Sequence, residues 1–260
     1  MAYTAVALGP IVLVVVNSLK ERRAIFSEPV ALPTNETFSL VGYETLGRRS
    51  DFEVYFANSL IVTLGSLAAV LFVGSMAAFA LSEYRFRGNR WLGLYLALGI
   101  MIPIRLGTVS LLQLFVGLGL VNNLLSLILV YTAQGLPLAI FILSAFMRDV
   151  PSELKDAARV DGASEYRIYR MVVPLVRPAL ASIAMFTMIP IWNDLWWPLI
   201  LAPARESATV TLGAQQFLGQ FVSDFNAVLA ALTLAMIPVL VLYILFSRQL
   251  IRGVLGGALK

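Results

Sequence analysis

Apolar residues run through this 260-residue chain in long blocks separated by short polar links. At roughly 20 apolar residues per bilayer crossing and 1.5 Å rise per residue, the pattern predicts six helical spans. They fall near 2–19, 55–82, 91–116, 124–147, 178–201 and 227–247. The reading is all-α, a polytopic membrane protein in a single domain covering 1–260. The opening Ala2–Leu19 block has no basic residue before it and no A-x-A site after it, so it reads as a short span rather than a signal peptide, in a chain that starts a little late. No internal repeat stands out, which disfavours an inverted-repeat secondary transporter.

The links differ in kind. Residues 20–54 read as a long polar loop and 202–226 as a polar loop with few charges, whereas 83–90 is short and basic (Arg85, Arg87, Arg90). Residues 117–123 are turn-like, and 148–177 form an island dense in charge. Links 83–90 and 148–177 plus the tail hold 12 basic residues, against 6 in the two loops on the other side. Lys/Arg bias therefore puts the island and both termini in the cytoplasm, and 20–54 and 202–226 outside.

Composition narrows the chemistry. Hydrophobic residues make up 59% of the chain and charged residues 13%, about half the charge of a soluble domain. There is no Cys and no His, which removes disulfides, thiol and imidazole catalysis and most transition-metal sites. No phosphate-binding loop of the G-x-x-x-x-G-K-[ST] form is present. The net charge of +4 is distributed by membrane side and does not point to nucleic acid. With no nucleophile–base or metal constellation, an enzyme is disfavoured.

The island Asp149–Pro174 predicts two short helices around a glycine. Pro151 suits a first helical turn. Glu153 and Asp156 put negative charge near the helix N-terminus. Leu154, Ala157 and Ala158 share a face. Gly162 is placed for a left-handed C-cap, and Ser164 for the N-cap of a second helix that begins at Glu165. Tyr166, Ile168, Tyr169 and Val173 give that helix a partly apolar surface; Pro174 and Pro178 mark its end. A solvated loop or an amphipathic helix on lipid is the plainer alternative, although the interleaved acids disfavour lipid.

The run Asp156-Ala157-Ala158-Arg-Val-Asp161-Gly162-Ala163, followed by Pro174, resembles the EAA loop of ABC-importer permeases. The chain is similar to the carbohydrate-uptake branch of the maltose-permease G-subunit type at Asn58-Ser59-Leu60, Leu136-Pro137, Trp192-Asn193-Asp194 and Thr211 to Phe217. Asp156 stands where the motif has Glu, and the run to Pro174 is one residue shorter than the common form. The resemblance implies a type I importer permease carrying a sugar, oligosaccharide or polyol. It implies a second permease subunit, a cytoplasmic ATPase dimer that binds ATP and Mg, and an extracytoplasmic binding protein. This chain needs no cofactor or metal of its own. Coupling to the ATPase falls to Glu153, Asp156, Ala157, Ala158, Asp161, Gly162, Ala163 and Pro174. Contact with the binding protein falls to Gln215, Gln216, Phe217, Gly219 and Gln220. A permease for another solute such as glycerol phosphate, an ion-coupled secondary transporter and a non-transporting scaffold remain as alternatives.

Ionisable residues inside spans are functional candidates with named partners. Arg105 and Asp194 are expected to approach each other or share a wet cavity; the plainer alternative has Arg105 snorkel outward and Asp194 cap a helix break. Trp192 and Asn193 suit a polyhydroxylated ligand on the substrate path. Trp196 and Trp197 read as an interfacial belt. Gln113 and Gln134 read as interhelical hydrogen-bonding residues. The glycine-bearing tail (Gly253, Gly256, Gly257) reads either as lying along the ATPase or as a frayed end.

Overall fold

Prolines and caps decide where the helices stop. Pro103 offers no N–H and drives Ile102 into extended backbone (φ −79°, ψ 119°). The expected span 91–116 is therefore two helices bent by 84° at a 3₁₀ turn over Ile104–Gly107. Asn123 starts the next helix, its Oδ1 accepting from the Leu125 N–H at 2.9 Å. A second bend of 74° separates Glu165–Leu175 from Arg177–Asn193, between Pro174 and Pro178.

The computed structural model describes residues 2–49, 51–215, 217–218 and 224–258. The α-helices are α1 (Ala2–Ser18), α2 (Arg22–Ser27), α3 (Val41–Arg49), α4 (Phe52–Glu83), α5 (Asn89–Met101), α6 (Thr108–Gly117), α7 (Leu124–Arg148), α8 (Ser152–Val160), α9 (Glu165–Leu175), α10 (Arg177–Asn193), α11 (Trp196–Leu201), α12 (Val210–Gln215) and α13 (Phe225–Ala258). Among the described residues there is no strand, and one isolated bridge pairs Lys20 with Phe38. Two helices, α4 and α7, are long and apolar enough to cross a bilayer alone, and up to four spans result if each bent pair counts as one. Val6–Ser18 and Phe225–Val241 are apolar but shorter.

The chain forms two compact units. The first comprises residues 1–61 and 192–242. Its core gathers Leu46, Phe52, Trp192, Val210, Ala230 and Ala231. Asn58 and Ser59 tie down the segment before α12. Asn58 Nδ2 donates to the carbonyls of Glu206 at 2.9 Å and Ala208 at 3.0 Å, and Ser59 Oγ accepts from the Val210 N–H at 2.8 Å. Gly213 lies against Tyr55 so closely that a Cβ would stand 2.2 Å from the ring. The segments read as polar loops are partly helical here. In 20–54, α2 buries Ala24 and Ile25 and α3 buries Leu46, too few apolar residues to show as a span but enough to pin a short helix. Lys20 is buried as well, donating to Asn17 Oδ1 at 3.0 Å and the Glu28 carbonyl at 2.7 Å.

The second unit comprises residues 62–191 and 243–260. Its core joins Val70, Ala78 and Phe79 of α4, Leu143 and Met147 of α7, Ile168 and Val172 of α9, and Ile183 of α10. The charged island is thus seated on the hydrophobic interior of its own unit through α9.

Candidate functional site

The island folds as the helix–glycine–helix that its caps predict. Pro151 sits one residue earlier than expected, at the N-cap with extended ψ of 131°. At the other end of α8, Gly162 takes φ +75°. The Gly162 N–H reaches the Arg159 carbonyl at 3.0 Å, and the Ala163 N–H reaches the Ala158 carbonyl at 2.9 Å. That pair of bonds is a Schellman motif, which needs the left-handed residue that glycine supplies without a Cβ penalty. Ser164 caps α9, its Oγ accepting from the Arg167 N–H at 3.4 Å.

The α8 face turned inward is charged. Lys155 Nζ meets Glu83 Oε2, at the end of α4, at 2.5 Å. Arg159 reaches Glu83 at 2.6 Å, Asp156 at 3.0 Å and Glu165 at 3.0 Å. The Tyr84 hydroxyl donates to Glu165 at 2.7 Å. The hydrogen bonds from Arg159 and then Tyr84 hold the Glu165 carboxyl below the usual carboxylate range. Burial first, then Glu165, pushes the Tyr84 hydroxyl up to about 12. The carboxylates of Glu165 and Glu83 push the Arg159 guanidinium up further. Beside this cluster, Ser75 and Tyr169 share a hydrogen bond of 2.7 Å and Phe79 packs edge-on to Tyr169.

The face turned outward is small and apolar with an acidic edge. Glu153, Asp156, Ala157, Asp161, Gly162 and Pro174 are exposed, and Ala158 and Ala163 are half-buried. Leu154 is 49% exposed and Val160 87%. Isolated apolar side chains on a surface need no account. Here two flank small residues on one short helix whose opposite face is fully committed. That leaves a small-residue surface open on α8.

The acids expected to couple, Glu153, Asp156 and Asp161, stay exposed. In the structure Lys155, Arg159 and Glu165 turn inward onto Glu83 and Tyr84. The available signal was Glu83 itself, an acid at the end of an apolar block, but its pairing lies 72 residues away.

The other candidates fall in different places. Arg105 is exposed in the 3₁₀ turn of the second unit. Asp194, in the first unit, caps the break between α10 and α11, accepting from the N–H groups of Trp196 at 3.3 Å and Trp197 at 3.1 Å. Trp192 is buried, donates to the Ala235 carbonyl at 3.0 Å and meets Phe56 edge-on. With Asn193, Thr211 and Met236 it lines a mainly apolar cavity of about 260 Å³ within the first unit. Trp197 is 1% exposed, so it packs internally instead of joining an interfacial belt. Gln113 and Gln134 are exposed and hydrogen-bond to no neighbouring helix among the described residues. Gln215 is exposed and Phe217 half-buried; Gln216, Gly219 and Gln220 lie outside the described residues.

Comparison with known proteins adds to this geometry. Residues 54–256 match the model of the binding-protein-dependent transport system inner membrane component. The chain is 32% identical to the diacetylchitobiose uptake system permease protein DasC of Streptomyces coelicolor, over 96% of this chain and 91% of that one. It is 30% identical to the permease protein NgcG of the same organism, also of a diacetylchitobiose uptake system, over 99% of this chain and 86% of the relative. In fold it matches a crystal structure of a bacterial ABC transporter involved in the import of the acidic polysaccharide alginate. The TM-score is 0.80 at 22% identity, covering 95% of this chain and 92% of that one.

Proposed function

This chain belongs to the family of binding-protein-dependent transport system inner membrane components, and from that premise we propose that it is the permease of an ATP-driven importer for an oligosaccharide or related polyol. The full-length relatives named for diacetylchitobiose uptake support the carbohydrate class. In this reading 1–260 forms one permease domain with six crossings, using α1, α4, the bent α5–α6 pair, α7, α10 and α13. The island and both termini are cytoplasmic, and 20–54 and 202–226 are external. The Lys/Arg asymmetry supports that orientation.

The partners are a second permease, an ATPase dimer that binds ATP and Mg, and an extracytoplasmic binding protein. The observation that carries the reading is the two-faced island. Its outward face (Leu154, Ala157, Val160, Asp161, Gly162) is left open to receive the ATPase, with Glu153, Asp156, Ala158, Ala163 and Pro174 at its margins. Its inward face is fixed twice, by Glu83 to α4 and by Ile168 and Val172 to the core. A push on α8 is then handed to the helices as a rigid displacement. The island receives work and performs no chemistry.

Arg105, Trp192, Asn193 and Asp194 are assigned to the substrate path, with Trp192 forming a wall and Asp194 holding the helix break open. Gln215, Gln216, Phe217, Gly219 and Gln220 are assigned to the binding protein. Reconstitution with the partners tests the whole reading: sugar uptake requires the ATPase and ATP. Ion-driven uptake by this chain alone overturns it.

A further inference from the structure

Where α5 and α7 pack together, they leave a cleft of about 420 Å³ in the second unit. It lies at the island's end of that unit, since its lining includes Leu81, two residues before Glu83, and Arg148, which ends α7. Arg90 and Arg148 both line it, and Leu94, Ala97 and Phe141 are among its apolar lining. From Arg90 to Ala97, or from Arg148 back to Phe141, is seven residues of helix, roughly 10 Å. The cleft is therefore cationic at one end and hydrocarbon-lined along about two turns.

Three of its polar side chains are uncommitted. Arg90 and Arg148 have no ion-pair partner among the described residues. Ser144, between Arg148 and Phe141 on α7, is 6% exposed and its Oγ is buried without a hydrogen-bond partner. A buried hydroxyl left unpaired costs free energy, and it lies where the cleft changes from charged to apolar. Asn89 is already committed, donating to the carbonyls of Leu81 and Tyr84.

We propose that this cleft binds one anionic phospholipid of the cytoplasmic leaflet. The phosphate is held by Arg90 and Arg148, whose guanidinium forks match phosphate oxygens. An acyl chain lies on Leu94, Ala97 and Phe141. Basic pockets between membrane helices on the cytoplasmic side recognise lipid headgroups by this chemistry. A zwitterionic lipid brings its own cation to the two arginines and is disfavoured. The leaflet rests on the orientation proposed above; the charge and shape of the cleft do not.

The test is native mass spectrometry of the assembled importer in detergent, titrated with phosphatidylglycerol, phosphatidylcholine or inorganic phosphate. Wild-type protein should hold one phosphatidylglycerol that neither of the others displaces. The R90Q/R148Q variant should bind it about 30-fold more weakly, the factor that two basic charges near a membrane surface carry. Gly93→Leu keeps both guanidiniums and directs a side chain into open space beside the cleft; it should lose the lipid by filling the site. Unchanged affinity in both variants, equal binding of phosphatidylcholine, or displacement by inorganic phosphate would overturn the proposal. The orientation fails separately: a single Cys at Ala157 labelled by an impermeant maleimide from outside the cell contradicts the leaflet without altering affinity in detergent.

Discussion

Lys155 and Glu83 meet at 2.5 Å with both side chains 9% exposed, so an ion pair is sealed where α8 meets the end of α4. Glu83 also receives Arg159. One carboxylate thus bonds two cations of the island, and Arg159 finds further negative charge at Asp156 and Glu165. Removing one partner of a buried pair is costly because the other charge stays buried and unpaired.

Glu83→Gln should lower the stability of the assembled protein by about 3 kcal/mol. Adding Lys155→Met to Glu83→Gln should return part of that loss, since an apolar group of similar volume no longer needs a counter-charge. Thermal unfolding of the single and double variants gives the coupling directly. Equal, additive losses would mean that the pair does not act as a unit.

Gly162→Ala should cost about 1–2 kcal/mol in the island, because φ of +75° brings an L side chain into conflict with its own backbone. Nothing lies within 4 Å of the new Cβ, so the strain is purely conformational. The variant, and Gly162→Val more strongly, should insert normally and bind the ATPase more weakly in a pull-down with purified ATPase.

Gly213→Ala tests a different kind of glycine, one fixed by contact. Its Cβ would stand 2.2 Å from the Tyr55 ring, and overpacking of this kind costs about 1–3 kcal/mol. Pairing it with Tyr55→Leu should recover part of the loss. Full additivity of the two would show that the contact is not the cause.

The ionic cluster sets a pH window. Glu165 has its pKa lowered by Arg159 first and Tyr84 second, so its stabilising effect is present above the unfolded carboxylate value of about 4.3. It is lost as pH falls through the still lower folded value. Tyr84 has its pKa raised to about 12. Its effect is complete below the unfolded value of about 10 and is lost as pH rises through the folded one. Stability of the island should therefore be flat between those limits, and Glu165→Gln should weaken the acid-side loss. An unchanged acid limb in that variant would remove Glu165 from the account.

How much of this was legible in the sequence follows from the distance over which each residue acts. Gly162 and Ser164 were legible because a cap is satisfied within one helical turn. The break at Pro103 is local too, since a proline stops a helix within a turn; the 84° size of the bend is not written in the apolar pattern around it. Glu83 was not legible as the anchor of the island, because hydropathy and caps carry no trace of a partner 72 residues away. Trp197 was misread for a related reason: a Trp in an apolar run looks the same whether it meets headgroups or a protein core. The helices of 20–54 were missed because Ala24, Ile25 and Leu46 are buried by tertiary packing and not by periodicity alone.

The most direct measurement of the central claim is site-specific photocrosslinking from the outward face of α8. A benzoylphenylalanine at Val160, 87% exposed, should give a covalent product with the purified ATPase in the reconstituted importer. The same probe at Phe141, 61% exposed, should not. A fully associated, ATP-hydrolysing complex with no crosslink at Val160 would contradict the account.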